Sequence, residues 1–248
     1  VTLLMKPVRS SPSVRALRIR RHLDLSGTVR ADIEWTLAHS DDRDACVEAV
    51  DAAIALGIED VIAGALDHRF AHVVAKALAA VGERLSAPLP ADLLALADAK
   101  GSPVRKALVR LLAAKSHSEH LPVLLRLVQD HWATSSRHYG EDDIFPIARL
   151  AVDAIANLTP LDSATLERLQ EIACKTSDWG VCVGLFKIVS AQGGLAFQDR
   201  LFELAVTPGR IRVRRAAARA MLVEADTLDS AVVCKITTSL LATQAPSI

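Results

Sequence analysis

The chain has 248 residues, balances 29 basic against 29 acidic side chains, and is 51% hydrophobic but only 4% aromatic. Zero net charge excludes a bulk electrostatic claim on nucleic acid or membrane, and the hydrophobic content excludes wholesale disorder. No apolar run approaches the roughly 20 residues needed to span a bilayer.

Apolar residues recur at three- and four-residue spacing almost throughout, with breakers between segments. Ser11-Pro12 opens a first helix over 12–24, with a capping residue and a first-turn proline. Thr28 opens 28–39, and Asp41-Asp42 open 41–56, which Gly57 ends. Helices over 58–67 and 69–82 follow, then Gly82, Pro88 and Pro90 as punctuation. Beyond them the pattern predicts helices over 91–100, 103–115, 119–131, 145–158, 162–176, 179–191, 197–206, 210–224 and 228–243. The breaks fall at Gly101-Ser102-Pro103, Pro160-Leu161-Asp162, Gly193-Gly194 and Pro208-Gly209. No stretch alternates in the manner of a strand, so the fold class is all-α. Residues 1–10 and 244–248 are expected to fray, and the start at Val1 leaves the native start open.

Several of these segments resemble one another. Val104-Arg105-Lys106-Ala107-Leu108-Val109-Arg110-Leu111-Leu112 matches Val213-Arg214-Arg215-Ala216-Ala217-Ala218-Arg219-Ala220-Met221 in polarity, position by position. Segments from Ile147 and Val181 fit the same template, and one from Phe70 fits more loosely. The anchors Phe70, Val104, Ile147, Val181 and Val213 are 34, 43, 34 and 32 residues apart. A period of about 33 is the length of a two-helix repeat, and the 43-residue step carries an insertion. Residues near Val14 and Ala45 read as degenerate repeats, as expected at the end of an array.

The Val-Arg-x-x-Ala pattern after a short turn resembles the HEAT repeat, including its shorter HEAT-like variant. SPVRKALVRLL and RIRVRRAAARAML come closest, the first with its alanine one position early. The resemblance extends over 28–243 at the level of period and pattern. It implies a right-handed α-solenoid of about six to seven hairpins, forming one repeat domain over 1–248. In each hairpin an outer A helix would precede a B helix lining the concave face. It implies no single activity, because such arrays serve as scaffolds, adaptors, inhibitors and a few enzymes.

Charge is sorted between the two layers. Counting each B helix from its anchor as zero, core positions 0, 3, 4, 7 and 8 share a face, and positions 2 and 6 lie opposite. Position 2 reads His72, Lys106, Arg149, Val183 and Arg215, and position 6 reads Lys76, Arg110, Asp153, Lys187 and Arg219. Lys and Arg dominate both. The A helices are richer in acid, among them Glu59, Asp60, Asp92, Glu119, Asp162, Glu167, Glu171, Asp199 and Glu203. A neutral chain is therefore expected to present a basic concave stripe, which focuses field toward anionic partners. Lys76, Lys106, Arg110, Arg149, Lys187, Arg215 and Arg219 are the candidate binding residues. The alternative is that Lys and Arg merely populate a solvated helix face or pair with neighbouring acids. Arg105 and Arg214, at position 1, correspond to the arginine that in HEAT arrays pairs with an aspartate across the stack.

The insertion over 132–144 holds Trp132, Arg137 and Tyr139. Long connections are functional or disordered, and aromatic side chains in a polar loop suit partner contact. His117, His120, His131 and His138 gather around it, without the His-Glu-x-x-His spacing or the cysteines of a metal site.

Phosphate loops, nucleophile elbows and dinucleotide fingerprints are absent from the sequence. The His-Glu pairs of the HEAT-type di-iron hydroxylase are absent too. HEAT-like alkylpurine DNA glycosylases need an acidic residue framed by aromatics. Asp178-Trp179 and Asp153 are the pieces available, and Asp178 reads more simply as a helix N-cap. Cys46, Cys174, Cys182 and Cys234 are scattered and read as free thiols, and Val1–Met5 is too short for a signal-peptide core. The expectation is therefore a cytoplasmic, non-catalytic, cofactor-free module that binds an acidic protein surface or segment, away from membranes. Nucleic-acid binding, with or without base excision, is the alternative.

Overall fold

The computed structural model describes residues 26–132, 144–207, 209–222 and 230–242, and every regular element among them is helical. The chain divides into two compact units, residues 1–115 and 116–248. The helix expected over 12–24 lies outside the described residues. No helix among them is long and apolar enough to cross a membrane.

In the first unit α1 is Ser26–His39, α2 Arg43–Leu56, α3 Glu59–Gly64, α4 Ala71–Arg84, α5 Ala91–Ala95 and α6 Ser102–Lys115. The start of α2 is capped by the Asp42 carboxylate, which accepts from the N–H groups of Asp44 at 2.9 Å and Ala45 at 3.2 Å. Gly57 ends α2 in the left-handed region, at φ 67°. The expected helices over 58–67 and 91–100 each break in two. α3 and α5 tighten into 3-10 turns at Ala65–Asp67 and Leu96–Asp98. Such turns let a short helix satisfy its last carbonyls and redirect the chain within a few residues.

α1 packs on α2, α2 on α4 and α4 on α6, while α3 and the Leu96–Asp98 turn cover α4 and α6. The core runs through Ile33, Cys46, Ala49, Val50, Ala53, Ile62, Val73 and Ala77, all essentially inaccessible to solvent. Alanine at so many contact points brings the helix axes close. At Gly82 a Cβ would stand 2.3 Å from Leu111 Cδ2, so any side chain there forces Leu111 to shift at this α4–α6 contact. α4 and α6 run parallel: Gly101 lies against Ala71 at their N-terminal ends, and Lys115 Nζ donates to the Glu83 carbonyl at the other, 3.3 Å away.

In the second unit a 3-10 turn at Ser118–His120 leads into α7, Leu121–Leu127. α8 is Pro146–Ala156, α9 Ser163–Lys175, α10 Trp179–Gln192, α11 Gly194–Val206, α12 Ile211–Leu222 and α13 Ser230–Ala242. Pro146 fills the first turn of α8, where its missing N–H costs nothing. Asp162 caps α9 by accepting from Thr165 N–H at 2.6 Å, and Asp178 caps α10 by accepting from Val181 N–H at 3.0 Å. α7 pairs with α8, α9 with α10 and α11 with α12, while α8 packs on α10 and α10 on α12. The second helix of each hairpin thus touches the second helix of the next. Its core is built from Ile147, Ala151, Leu169, Val181, Leu185, Phe186, Val189, Leu201 and Ala217.

Side-chain bonds to backbone tie neighbouring helices and their junctions together. Arg69 donates to the Ser40 carbonyl and Arg212 to the Ser177 carbonyl, both ahead of an earlier stacked helix. Gln192 accepts from Leu161 N–H at 3.0 Å and donates to the Leu158 carbonyl at 3.4 Å. Arg105 donates to the carbonyls of Ala99 and Lys100. Arg214, only 7% exposed, donates to the carbonyls of Ala205 and Ser239 and to the Ser239 hydroxyl. Its bonds to these groups hold α12 to α11 and α13.

Candidate functional site

The first unit carries a groove of about 640 Å³ over the solvent-facing sides of α2, α4 and α6. α4 lines it with His72, Ala75, Lys76, Ala79 and Glu83. α6 supplies Pro103, Lys106, Ala107, Arg110, Leu111 and Ala114, and the first turn of α2 adds Arg43, Asp44 and Val47. Positions 2 and 6 of α4 and α6 therefore converge on one surface, as the three- and four-residue spacing requires. The sequence pattern did not reveal what lies between them. Ala75, Ala79, Ala107 and Ala114 stand on the solvent side where longer polar residues are usual, and their short side chains open the hollow.

The charges of this groove are not equivalent. Arg43 pairs with its neighbour Asp44 at 2.8 Å, and Lys76 Nζ lies 2.8 Å from Asp51. Lys106, half-buried, and Arg110, exposed, have no carboxylate partner among the described residues. Both sit on α6, one turn apart, so the uncompensated positive charge belongs to one wall. Glu83 lies at the opposite end of α4 from His72.

In the second unit the four candidates separate into two kinds. Arg149 on α8 is bound to Asp178 at the head of α10, with Nε 2.9 and 3.0 Å from the two carboxylate oxygens and Nη2 2.9 Å from Oδ1. Asp178 is fully buried and also accepts from Phe145 N–H at 2.6 Å. The Arg149 charge is thereby spent inside the stack, because a buried carboxylate needs its counterion. Lys187 on α10 and Arg215 and Arg219 on α12 are exposed and have no ion-pair partner among the described residues. Arg215 lines a surface hollow of about 350 Å³ with Trp179, Ile211 and Arg212. Asp153, at the equivalent position of α8, is exposed.

Trp132 is 39% exposed at the end of the described α7 segment, where its N–H donates to Asp130 Oδ1 at 2.9 Å. Arg137, His138 and Tyr139 lie outside the described residues. His117 caps the Ser118–His120 turn through its ring, which accepts from Glu119 N–H at 3.3 Å. His120 is fully buried, and that burial pushes its imidazole below the ordinary range, helped by His117. Among the described residues no three histidine, cysteine or carboxylate side chains are placed to hold a metal ion.

A further hollow of about 450 Å³ between α9, α11 and α12 carries Cys174, Arg200, Glu203 and Arg210. Arg200 is paired with Glu167 at 3.2 Å, and burial raises the Cys174 thiol above its usual range despite Arg210. Arg168 of α9 pairs with Glu171 at 3.0 Å and Arg84 of α4 with Glu59 of α3 at 2.7 Å, whereas Lys100 and Lys175 are exposed and have no carboxylate partner among the described residues. No family model matches the chain, and no curated protein matches it either.

Proposed function

We propose that the chain is a non-catalytic interaction module of HEAT-like hairpins that binds an acidic partner protein on the faces of its second helices. The observation that carries this reading is the contrast among its cations. Arg30, Arg168 and Arg200 on the first helices of hairpins, and Arg69, Arg105, Arg149 and Arg212 at the junctions, are occupied by carboxylates or carbonyls. Lys106 and Arg110 are not, and they flank an alkyl-floored groove. Cations left uncompensated beside apolar surface favour anionic, partly apolar partners, since the apolar contact supplies affinity and the charge supplies steering and selection. Lys187, Arg215 and Arg219 extend the same chemistry to the second unit. Repeat arrays of this kind work as scaffolds, adaptors or inhibitors, and the HEAT-type solenoid accounts for the period near 33 and for second helices that touch in succession.

The test is capture of an acidic protein by the intact chain and by the Lys106→Glu, Arg110→Glu double variant. Reversal of both charges is expected to weaken capture by at least about tenfold, and unchanged capture overturns the proposal. The same proteins titrated against labelled duplex DNA at two salt concentrations address the nucleic-acid reading. Tight binding with a steep salt slope would replace an acidic protein by a phosphate backbone as the partner.

A further inference from the structure

We infer that the groove of the first unit receives an amphipathic α-helix of the partner, about three turns long, docked in one direction. This rests on the acidic-partner reading and narrows it to a shape and a polarity.

The lining residues recur every three or four positions on both walls, from His72 to Glu83 on α4 and from Pro103 to Ala114 on α6. The furrow therefore runs along the two parallel helices rather than across them. At 1.5 Å per residue, the stretch from Pro103 to Ala114 is about 16 Å long, which is about three turns of an α-helix. The floor consists of Ala75, Ala79, Ala107 and Ala114 with Val47 and Leu111. Helix side chains offer no backbone donors or acceptors. An extended segment laid there would leave its own N–H and C=O groups facing alkyl surface, whereas a helix arrives with those groups already bonded. The short floor side chains also let a ligand helix with small residues on its contact face come close.

Charge sets the direction. Lys106 and Arg110 stand about 6 Å apart along α6, the spacing of two carboxylates at i and i+4 on a helix beside them. Lys76, on the facing wall, is occupied by Asp51. The N-terminal ends of α4 and α6 lie together at the His72 and Pro103 end, where their dipoles favour anions. Glu83 sits at the other end, together with the helix C-termini, and disfavours acid there. The ligand's glutamates thus belong toward Pro103, and a lysine belongs beside Glu83.

Fluorescence anisotropy with the full chain tests this. The probe is a fluorescein-labelled peptide of alanine and leucine, with two glutamates four residues apart near one end and a lysine near the other. A peptide of matched charge with two prolines in its centre is the non-helical control. The helical probe is expected to bind at least about tenfold more tightly than the proline peptide. Ala79→Trp, which fills the furrow and leaves every charge in place, is expected to weaken it comparably. Ala114→Trp repeats that test at a second exposed position should the first variant misfold. Equal binding of the two peptides, or no effect of either tryptophan, overturns the helical ligand. If that binding still falls with Lys106→Glu and Arg110→Glu, the acidic-partner reading survives alone. Binding indifferent to both charge reversals overturns both. No binding of either peptide overturns the helical ligand, and the protein-capture experiment then decides the broader reading separately.

Discussion

Arg149 and Asp178 join two stacked helices of the second unit through a fork of three N–H···O contacts between 2.9 and 3.0 Å. The same carboxylate caps α10 through Val181 N–H and fixes the first residue before α8 through Phe145 N–H. One side chain, with no solvent exposure, thus serves a cap, a hairpin junction and an ion pair.

Removing that carboxylate leaves two backbone donors and a guanidinium without their acceptor. Asp178→Ala is expected to destabilise the second unit by about 3 kcal/mol. Urea denaturation followed by tryptophan fluorescence, in a background with Trp35→Phe and Trp132→Phe so that Trp179 alone reports, checks it. Arg149→Met, which retains the alkyl contact, is expected to be destabilising too, because it strands a buried carboxylate. A neutral effect of both would show that the pair carries no stability.

The sequence made Asp178 legible as a cap, because an aspartate three residues before Val181 has the spacing of an N-cap. It did not make Arg149 legible as its partner. Arg149 falls at position 2 of its helix, the same register as Lys106 and Arg215, and register alone cannot separate a cation facing solvent from one facing the next cap. Helical class, the breaks at Gly57, Asp162 and Gly193-Gly194, and the convergence of Lys76, Lys106 and Arg110 followed from periodicity. The groove did not, because its floor is defined by what is missing from four alanines, and patterns of polarity count such residues as core.

Two glycines of the first unit are expected to respond in opposite directions to the same substitution. Gly82→Ala puts a Cβ within 3.0 Å of three carbons of Leu111 and should cost about 1–3 kcal/mol. Gly64, in helical conformation at φ −61°, has nothing within 4 Å of an added Cβ. Gly64→Ala should stabilise by about 0.5–1 kcal/mol. Thermal melts of the two variants decide it.

Acidification should weaken the first unit through His68. Its Nδ1 accepts from Phe70 N–H at 3.1 Å, and its Nε2 lies 3.0 Å from the Leu37 carbonyl, the tautomer with the proton on Nε2. Burial lowers its pKa from the ordinary 6.5, the Leu37 carbonyl opposes that shift, and Arg69 adds to it. The folded state therefore holds the neutral ring more strongly than the unfolded chain does. The stability from His68 is fully present above pH 6.5 and is lost as the pH falls through the lowered folded value. Urea midpoints measured on both sides of pH 6.5 should show the loss, and His68→Gln should reduce the slope.

The four thiols should react in a set order. Cys234 is exposed and Cys174 half-buried, whereas Cys46 and Cys182 are inaccessible. Burial pushes the Cys182 thiol up to about 12, with Cys174 adding to the shift, so little thiolate forms at neutral pH. Titration with a chromogenic disulfide should label Cys234 first, and Cys46 and Cys182 only on unfolding. Rapid reaction of Cys182 in the native protein would contradict its complete burial on α10.

The hold of Asp178 on Phe145 bears on how this fold admits new sequence. The head of α8 is held from the following hairpin, through the carboxylate of Asp178. A foreign epitope grafted ahead of Ile144 would meet a helix head that already has an anchor of its own.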